Sequence, residues 1–274
     1  MKHLIRQVLW KLGFDIQRVN KNGCTDLGFQ RNSLQGILGQ VHRVGFTPGT
    51  VIDVGAAFGI FTKECHKVFP DANYVLVEPI EEYLPVLSKV VASLPHAANV
   101  IAVVAAQDGR TFLNVHHDLV GSSLYREVEE GTDIDGVRRE VRAITLDHLV
   151  DEQSAPPPFL IKIDVQGAEL DVLAGAQKTL AGTEYVLLEV SLFNFFHQGP
   201  ACYDVVAYMK SKGFVPYDMY GMQYRPLDGA LSQIDIAFVK EDGQFRTSHH
   251  YATPDQRAKQ NRMLKSYLCR RIPQ

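Results

Sequence analysis

Residues 51–62 read Val-Ile-Asp-Val-Gly-Ala-Ala-Phe-Gly-Ile-Phe-Thr, and this stretch decides the fold. The apolar run Val51–Val54 is typical of a buried strand, and the amphipathic stretch Ile60–Val68 after it is typical of a helix. Gly55 permits a tight turn between them and, having no side chain, lets a ligand touch the backbone. Gly59 opens the helix, whose free amide groups attract polar or negative ligand groups. The stretch therefore predicts a strand, a turn and a helix that together bind a ligand.

The same alternation of apolar runs and helical stretches continues along the chain. The runs are Val51–Val54, Tyr74–Val77, Val100–Ala105, Phe159–Ile163, Tyr185–Val190, Phe214–Tyr217 and Ile234–Val239. Between most of them lie amphipathic stretches, at Ile60–Val68, Glu81–Leu94, Ala168–Leu180 and Tyr203–Lys212. Runs of Val, Ile and Leu that alternate with helices indicate a parallel sheet covered on both faces. We expect an α/β, Rossmann-like domain with a seven-stranded, mostly parallel sheet and helices on both faces.

The pattern also sets the domain boundaries. Residues 45–240 hold the alternating core, residues 1–44 form an N-terminal helical extension, and residues 241–274 form a basic helical tail. Residues 110–150 carry β-like pieces around a polar stretch, which predicts a hairpin-type insertion after the third strand. The prolines at 156–158 form a rigid connector into the fourth strand. In the tail we expect a peripheral helix that packs through Met263, Leu264, Tyr267 and Leu268.

The N-terminal extension begins with a basic amphipathic stretch. Residues 2–12 place their apolar side chains on one helical face, with Lys2, Arg6 and Lys11 off it. One interpretation is a helix packed on the domain. The other is a peripheral contact of residues 1–20 with an anionic membrane surface or with a partner protein. The pattern alone does not separate the two.

Composition excludes several classes of protein. The chain has 274 residues, of which 46% are apolar, enough for a sizeable core. A net charge of −3 argues against a nucleic-acid binder that coats its surface with basic residues. The four cysteines lie far apart, which suits free thiols in a reducing compartment. No apolar run reaches the roughly 18 residues that cross a bilayer, and the first twenty residues lack a secretory signal pattern, so we expect a cytoplasmic protein.

The first turn indicates which ligand the sheet binds. A nicotinamide fingerprint needs Gly-x-Gly-x-x-Gly, and Ala57 replaces its second glycine. An acidic residue at the end of the first strand, here Asp53, followed by Gly55-Ala56-Ala57-Phe58-Gly59, is the arrangement that S-adenosylmethionine enzymes of this fold use. We expect Asp53 to orient the loop and the methionine ammonium, directly or through water. We expect Gly55, Ala56, Phe58 and Gly59 to lie against the cofactor.

Two later strand ends complete the predicted cofactor site. Glu78, followed by Pro79, ends the second strand 19 residues after Gly59. A carboxylate at that position accepts both ribose hydroxyls in dinucleotide-binding proteins. The third strand is expected to end near 105–109, where an adenine ring lies, so the backbone of Ala106 is a predicted adenine contact. Asp108 in the same segment suits an ordinary Asp-Gly turn equally well.

The fourth strand carries the most specific motif. Residues 161–170 read Ile-Lys-Ile-Asp-Val-Gln-Gly-Ala-Glu-Leu and run on to Leu173-Ala-Gly-Ala176. The chain resembles the FkbM family of methyltransferases, whose signature is Lys-Ile-Asp-Val-Glu-Gly-Ala-Glu followed by a helix and Leu-x-Gly-Ala. The resemblance covers roughly residues 45–240 and includes the Asp53 turn, Glu78-Pro79, Gly121-Ser-Ser-Leu124 and Thr145-Leu-Asp147. One residue departs from the signature, because Gln166 stands where the family usually has glutamate.

This resemblance implies a class I, S-adenosylmethionine-dependent O-methyltransferase acting on hydroxyls of polyketides or sugars. An alcohol acceptor must lose a proton, so a general base or a metal ion is expected near its hydroxyl. Asp164 and Glu189 at adjacent strand ends, and His197 after the aromatic patch at 192–196, are the candidate bases. Glu169 in the first turn of the next helix suits a structural role at least as well as a catalytic one.

The sequence predicts no metal ligand. His116 and His117 are adjacent on a predicted strand and therefore point to opposite faces. Asp164 and Glu189 by themselves are not a full ligand set for a magnesium ion.

We hypothesise an O-methyltransferase whose acceptor is a small molecule or a glycan, with no nucleic-acid partner. Methyl transfer to nitrogen or to a polyketide, a non-catalytic methyltransferase-like scaffold and a nicotinamide oxidoreductase are the alternatives. The oligomeric state stays open.

Overall fold

The computed structural model describes residues 31–129 and 136–269. The predicted helix at residues 2–12, and with it the predicted membrane contact of residues 1–20, lies outside the described residues. In chain order the elements are α1 Leu34–Arg43, β1 Thr50–Val54, α2 Ile60–Val68, β2 Asn73–Val77, a 3-10 turn Glu81–Tyr83, α3 Leu84–Ala92, β3 Ala97–Val100, β4 Val103–Val104, β5 Gly109–Val115, β6 Val137–Ile144, α4 Leu146–Glu152, β7 Phe159–Ile163, α5 Glu169–Ala174, α6 Gln177–Ala181, β8 Thr183–Ser191, α7 Cys202–Ser211, β9 Phe214–Tyr224, β10 Leu231–Lys240, a 3-10 turn Gln244–Arg246 and α8 Pro254–Cys269.

Within the described residues, seven strands form the main sheet, in the order β3-β2-β1-β7-β8-β10-β9. Strands β3, β2, β1, β7 and β8 are parallel to one another, whereas β10 runs antiparallel to both β8 and β9. Val51 in β1 pairs with Tyr74 in β2 and with Leu160 in β7, so β1 is central. Strand β2 lies on one side of β1 and β7 lies on the other, so the strand order reverses at β1. This reversal opens a crevice beyond the carboxyl ends of β1 and β7. The predicted Rossmann-like, mostly parallel fold is confirmed.

Two apolar layers cover the two faces of this sheet. Val51, Tyr74, Leu160 and Tyr185 contribute to one layer, together with apolar side chains of α1, α2 and α3. The residues that follow them along each strand contribute to the other layer, together with side chains of helices α4 to α7. Successive side chains of a strand point to opposite faces. A strand that is apolar at every position therefore belongs between two layers of helices, as the sequence pattern indicates.

A second, three-stranded sheet lies within the described residues, in the order β4-β6-β5. Strands β5 and β6 pair antiparallel, from Gly109 with Ala143 to Val115 with Val137. The predicted hairpin-type insertion is confirmed. The predicted third strand at 100–105 is only partly right, because the main sheet takes Ala97–Val100 and the second sheet takes Val103–Val104. A bend after Val100 therefore divides one apolar run between two sheets.

The C-terminal helix α8 carries exposed apolar side chains. Met263 is 66% exposed and Leu264 is 53% exposed, so these two residues do not pack as the sequence predicted. The side chains of Tyr267 and Leu268 lie outside the described residues. In the part of the chain that the structure describes, no helix is long and apolar enough to cross a membrane.

Candidate active site

The candidate active site is a cleft at the carboxyl ends of the central strands. Its floor comes from the turns after β1, β2 and β7 and from the end of β8, and its rim from the β9–β10 hairpin and from the segment after β5. The cavity between its walls has a volume of about 210 Å³. The topology therefore brings residues distant in the sequence to the place where doubly wound sheets bind ligands.

The first turn is packed tightly against the fourth-strand turn. Gly55 has a φ of +79°, a left-handed backbone that glycine adopts without strain. A Cβ atom at this position would collide with the carbonyl oxygen of Asp164. The N–H groups of Gly55 and Ala56 donate to the carbonyl oxygen of Val77, at 2.9 and 3.1 Å. The cleft floor is therefore built from backbone in close contact, and Gly55 lines it.

Asp53 acts inside this turn. Its buried carboxylate accepts a hydrogen bond from the hydroxyl of Thr62 at 2.7 Å, which ties β1 to helix α2. Burial raises the pKa of Asp53 to about 6. The contact fits the predicted loop-orienting role. Asp53 does not line the cleft, however, so the structure shows no surface there for the methionine ammonium.

Glu78 forms part of the cleft wall, directly after the second strand. One carboxylate oxygen accepts the N–H of Ala57 at 2.9 Å, and the other accepts the N–H of Ile80 at 3.0 Å. Burial raises the pKa of Glu78 to about 7. Glu78 and Pro79 both line the cleft. The arrangement leaves lone pairs of both carboxylate oxygens free for ligand hydroxyl groups, as the ribose prediction requires.

Phe58 and Gly59 lie beside the cleft without lining it. The exposed ring of Phe58 packs edge-on against Tyr83, with ring centroids 4.9 Å apart, and Tyr83 lines the cleft. Gly59 caps helix α2 and faces Val90 and Leu87 of α3. Phe58 and Gly59 therefore support, from outside the cleft, the side that is predicted to bind the cofactor.

The structure corrects the predicted adenine contact. Ala106 is exposed and outside the cleft, whereas Ala102, Val103 and Val104 line it. The prediction placed the third strand end after Ala105. In the structure the main sheet ends its third strand at Val100, so the residues that follow this strand are the ones that reach the cleft.

An ion pair fixes Asp164 at the end of β7. The buried Lys162 ammonium lies 2.9 Å from one oxygen of Asp164 and 3.6 Å from Asp235. Burial opposes the charge on Lys162, but the negative charges of Asp164 and Asp235 raise its pKa above the usual range. Burial likewise opposes ionisation of Asp164, and the adjacent Lys162 lowers the pKa of this carboxyl below its ordinary value. Asp164 is therefore held ionised and is a weak base.

Glu189 occupies a different environment at the end of β8. The amide of Gln166 donates to Oε2 at 2.8 Å, that of Gln223 to Oε1 at 2.9 Å and that of Gln233 to Oε2 at 3.1 Å. Burial, and then the negative charge of Asp164, raises the pKa of Glu189 to about 8. Two neighbouring carboxyl groups thus have pKa values pushed apart by their surroundings. This is the usual sign of an acid–base site.

His197 does not join these carboxyl groups. The side chain is exposed and does not line the cleft. The backbone N–H of His197 donates to the carbonyl oxygen of Arg126 at 2.8 Å. The loop after β8 instead pairs with the insertion, because Glu127 and Phe196 form a β-bridge. His197 follows directly after this bridge, which carries it away from the cleft. The structure therefore gives no support to His197 as the base.

A family model described as the methyltransferase FkbM domain matches residues 53–216, more than half of the chain. The chain belongs to the FkbM methyltransferase family. The family is one of methyltransferases, for which S-adenosylmethionine is the expected methyl donor. The matched range contains the turns after β1, β2 and β7, with Glu78 and Asp164, and it also contains Glu189.

Individual relatives of this FkbM-family chain match over shorter or more divergent stretches. The hexuronic acid methyltransferase AglP of Haloferax volcanii is 36% identical over 50 residues, which cover 18% of this chain and 21% of that protein. The methyltransferase FkbM of Methylobacillus flagellatus KT has a TM-score of 0.45 at 15% identity, covering 69% of this chain and 43% of that one. The magnesium protoporphyrin IX methyltransferase of Synechocystis PCC 6803, crystallised with bound S-adenosylhomocysteine, has a TM-score of 0.43 at 12% identity, covering 87% and 99%. The chain thus spans less than half the length of the first two.

The residues of the cleft fit a sulfonium cofactor. Among the described residues that line it, Glu78, Asp164 and Glu189 are acidic and none is Lys, Arg or His. Asp164, which is held ionised, would stabilise a positive sulfonium, and Glu78 would be left for the ribose hydroxyls. Within the described residues no group of three or more His, Cys, Asp and Glu side chains is arranged to hold a metal ion.

Several motif residues of the FkbM-family signature have structural roles. Asp147 accepts the N–H groups of Lys178 and Thr179 at 3.0 and 2.7 Å, and so caps helix α6. Glu169 is buried, accepts the N–H of Gly167 at 3.0 Å, and has a pKa raised to about 7 by burial. Ser123 of the Gly121–Leu124 motif donates to the carbonyl oxygen of Gln166 at 2.6 Å, which anchors the insertion over the cleft.

Sequence reasoning assigned no site role to Lys162, Gln223 or Gln233, and it named the motif Gly121–Leu124 without placing it at the cleft. A signal for Lys162 was present, because a lysine inside the buried run Phe159–Ile163 needs a charged partner. The two glutamines carry no such signal. They belong to the site only because the β9–β10 hairpin folds beside β8.

Proposed function

We propose that this chain transfers the methyl group of S-adenosylmethionine to a hydroxyl oxygen of a sugar or a related polyhydroxylated acceptor. The observation that carries the proposal is the environment of Glu189, a carboxylate held by amide donors beside the ionised Asp164. The local match to a hexuronic acid methyltransferase supports a sugar as the acceptor class.

The cofactor, when bound, supplies an electrophilic methyl group on a positively charged sulfur. Glu78 accepts hydrogen bonds from the ribose hydroxyls, and the backbone at Gly55 lets the cofactor approach the floor of the cleft. Asp164 keeps its negative charge because Lys162 lies beside it, and it contributes negative potential near the sulfonium.

Glu189 removes the proton of the acceptor hydroxyl. Its raised pKa of about 8 lies near the operating pH, which is where a general base is most effective. Gln166, Gln223 and Gln233 hold the carboxylate in one orientation, so the acceptor oxygen can be placed in line with the methyl group. Ser123 holds the insertion segment over the same turn.

Transfer of labelled methyl from S-adenosylmethionine to a panel of sugars, polyols, phenols and amines tests this function. We expect label in hydroxyl acceptors and a loss of about 100-fold or more in kcat for Glu189→Gln, with unchanged affinity for S-adenosylmethionine. Glu81→Gln, at an exposed position, is the matched control. Label only in amines, or full activity of Glu189→Gln, contradicts the proposal.

A further inference from the structure

Gln223 and Gln233 oppose each other on the last two strands, at the rim of the cleft. The pairing shifts register there: Asp235 opposes Tyr220, whereas Gln233 opposes Gln223, so β9 carries one extra residue. Gly221 lies in this bulge with a φ of +65°. Because side chains alternate along a strand, the extra residue turns Gln223 instead of Met222 toward Glu189.

Both glutamines keep unused hydrogen-bonding capacity. A carboxamide has two N–H donors and one carbonyl acceptor. Gln223 and Gln233 each donate to Glu189, Gln223 to Oε1 at 2.9 Å and Gln233 to Oε2 at 3.1 Å. No described residue bonds their remaining side-chain N–H groups or their carbonyl oxygens. Since both side chains line the cleft, one donor and one acceptor on each are available to a ligand.

The charges of the cleft restrict what this ligand is. Of the described residues that line it, none is basic. The nearby ammonium of Lys162 is 6% exposed and bonded to Asp164. An acidic group beside the reacting hydroxyl would therefore face Glu189 and Asp164 without a basic side chain in the lining to pair with it. An ammonium group only donates hydrogen bonds and would leave the amide N–H groups without an acceptor. A hydroxyl both donates and accepts, and carries no charge.

We infer that Gln223 and Gln233 form the acceptor subsite and that they bind the hydroxyl next to the one that is methylated. The acceptor is then a neutral vicinal diol, in contrast to the hexuronic acid in the name of the methyltransferase AglP. The amide nitrogens lie 2.9 and 3.1 Å from the carboxylate oxygens of Glu189, a spacing that suits hydroxyl oxygens on neighbouring carbons. This inference rests on the proposed function and specifies its acceptor.

The test uses methyl hexopyranosides, each with its monodeoxy analogues, its uronic acid and its 2-amino derivative. Acceptor binding is measured by calorimetry with S-adenosylhomocysteine present, and kcat/KM by transfer of labelled methyl. Gln223→Met and Gln233→Met remove the amide at nearly constant length. Gln107→Met, at an exposed position outside the cleft, is the control. Each variant is also titrated with S-adenosylmethionine alone, which measures its affinity for the cofactor.

We expect the parent sugar to exceed its uronic acid, its amino derivative and one monodeoxy analogue by about 10-fold or more in kcat/KM. Each Met variant loses about 10-fold more activity on the parent sugar than on that monodeoxy analogue, because loss of the bond to Glu189 affects both acceptors alike. S-adenosylmethionine affinity stays unchanged.

A preference for the uronic acid or the amine, or Met variants that keep the diol preference, overturns the inference. So does a protein that binds S-adenosylmethionine and neither binds nor methylates any of these sugars. Loss of S-adenosylmethionine binding by the unmodified protein is a different result, because it overturns the proposed function itself.

Discussion

The side-chain amide of Gln166 donates a hydrogen bond of 2.8 Å to the carboxylate of Glu189. The same nitrogen donates to Asp164 at 2.9 Å, so one neutral side chain links the two carboxylates. Glutamate, which usually stands at this position in the family, would place a third acidic group there. Gln166 is therefore a positioning residue that keeps Glu189 oriented without adding to the negative charge.

Gln166→Glu tests this role. The added negative charge raises the pKa of Glu189 further, so the midpoint of the pH–rate profile moves up by about one unit. Activity at pH 7 falls, while S-adenosylmethionine still binds. The measurement is kcat/KM as a function of pH, with Gln107→Glu as the control. An unchanged midpoint is incompatible with the positioning role.

The unmodified protein has a defined pH dependence. Glu189 accepts a proton only when ionised, and its pKa is about 8. We expect kcat/KM to rise by about tenfold per pH unit on the acid side and to level off above about pH 8. The slope disappears in the residual activity of Glu189→Gln. A profile that is flat between pH 6 and 8 argues against Glu189 as the base.

The stability of the fold is expected to decrease as the pH rises, whereas kcat/KM increases. Burial raises the pKa of Asp53 to about 6, of Glu78 and Glu169 to about 7 and of Glu189 to about 8. Groups whose folded pKa is raised stabilise the fold when protonated. Their contribution is complete below the unfolded pKa values near 4, and it is lost as the pH rises through about 6 to 8.

We therefore expect the Tm to fall by several degrees between pH 5.5 and pH 8.5 in the absence of ligand. Glu169→Gln keeps the acceptor for the Gly167 N–H and reduces this fall. Thermal unfolding over that pH range checks it, with the exposed Glu81→Gln as the control. A Tm that rises with pH contradicts the assignment of these raised pKa values.

Gly55→Ala separates close packing from backbone strain. The variant must adopt a strained left-handed φ and also collides with the carbonyl oxygen of Asp164. Gly213 has a similar φ of +81°, and an added Cβ atom there would meet nothing within 4 Å, so Gly213→Ala carries only the backbone cost of about 1–2 kcal/mol. Thermal unfolding and cofactor titration should show a larger loss of stability and a loss of binding for Gly55→Ala alone. Equal effects of the two variants would show that the packing against Asp164 is unimportant.

The sequence predicts the parts of this molecule that depend on local periodicity. Ile60–Val68 and Phe159–Ile163 agree with the structure at both ends, because their apolar spacing and flanking residues are local features. The predicted helix Ala168–Leu180 is instead two helices, Glu169–Ala174 and Gln177–Ala181. Gly175 between them packs against the carbonyl oxygen of Ala105, a contact that no local pattern encodes.

The residues of the candidate site are likewise of two kinds: those that local sequence features predict, and those that depend on tertiary structure. Gly55, Glu78, Asp164 and Glu189 follow from their places at strand ends, since parallel strands end at one edge of a sheet. Ala106 and His197 were wrongly placed because a bend after Val100 and a bridge between Glu127 and Phe196 redirect the chain. Gln223 depends on a bulge at Gly221 that shifts the register by one residue.

Calorimetric titration of the protein with S-adenosylmethionine, set beside the same titration of Glu78→Ala, tests the central claim most directly. We predict saturable binding to the unmodified protein. We also predict an affinity weaker by about 10-fold or more in Glu78→Ala, with the exposed Glu81→Ala unchanged. Absence of binding to the unmodified protein, or appreciable binding of NADH in its place, would contradict the assignment of this cleft to S-adenosylmethionine.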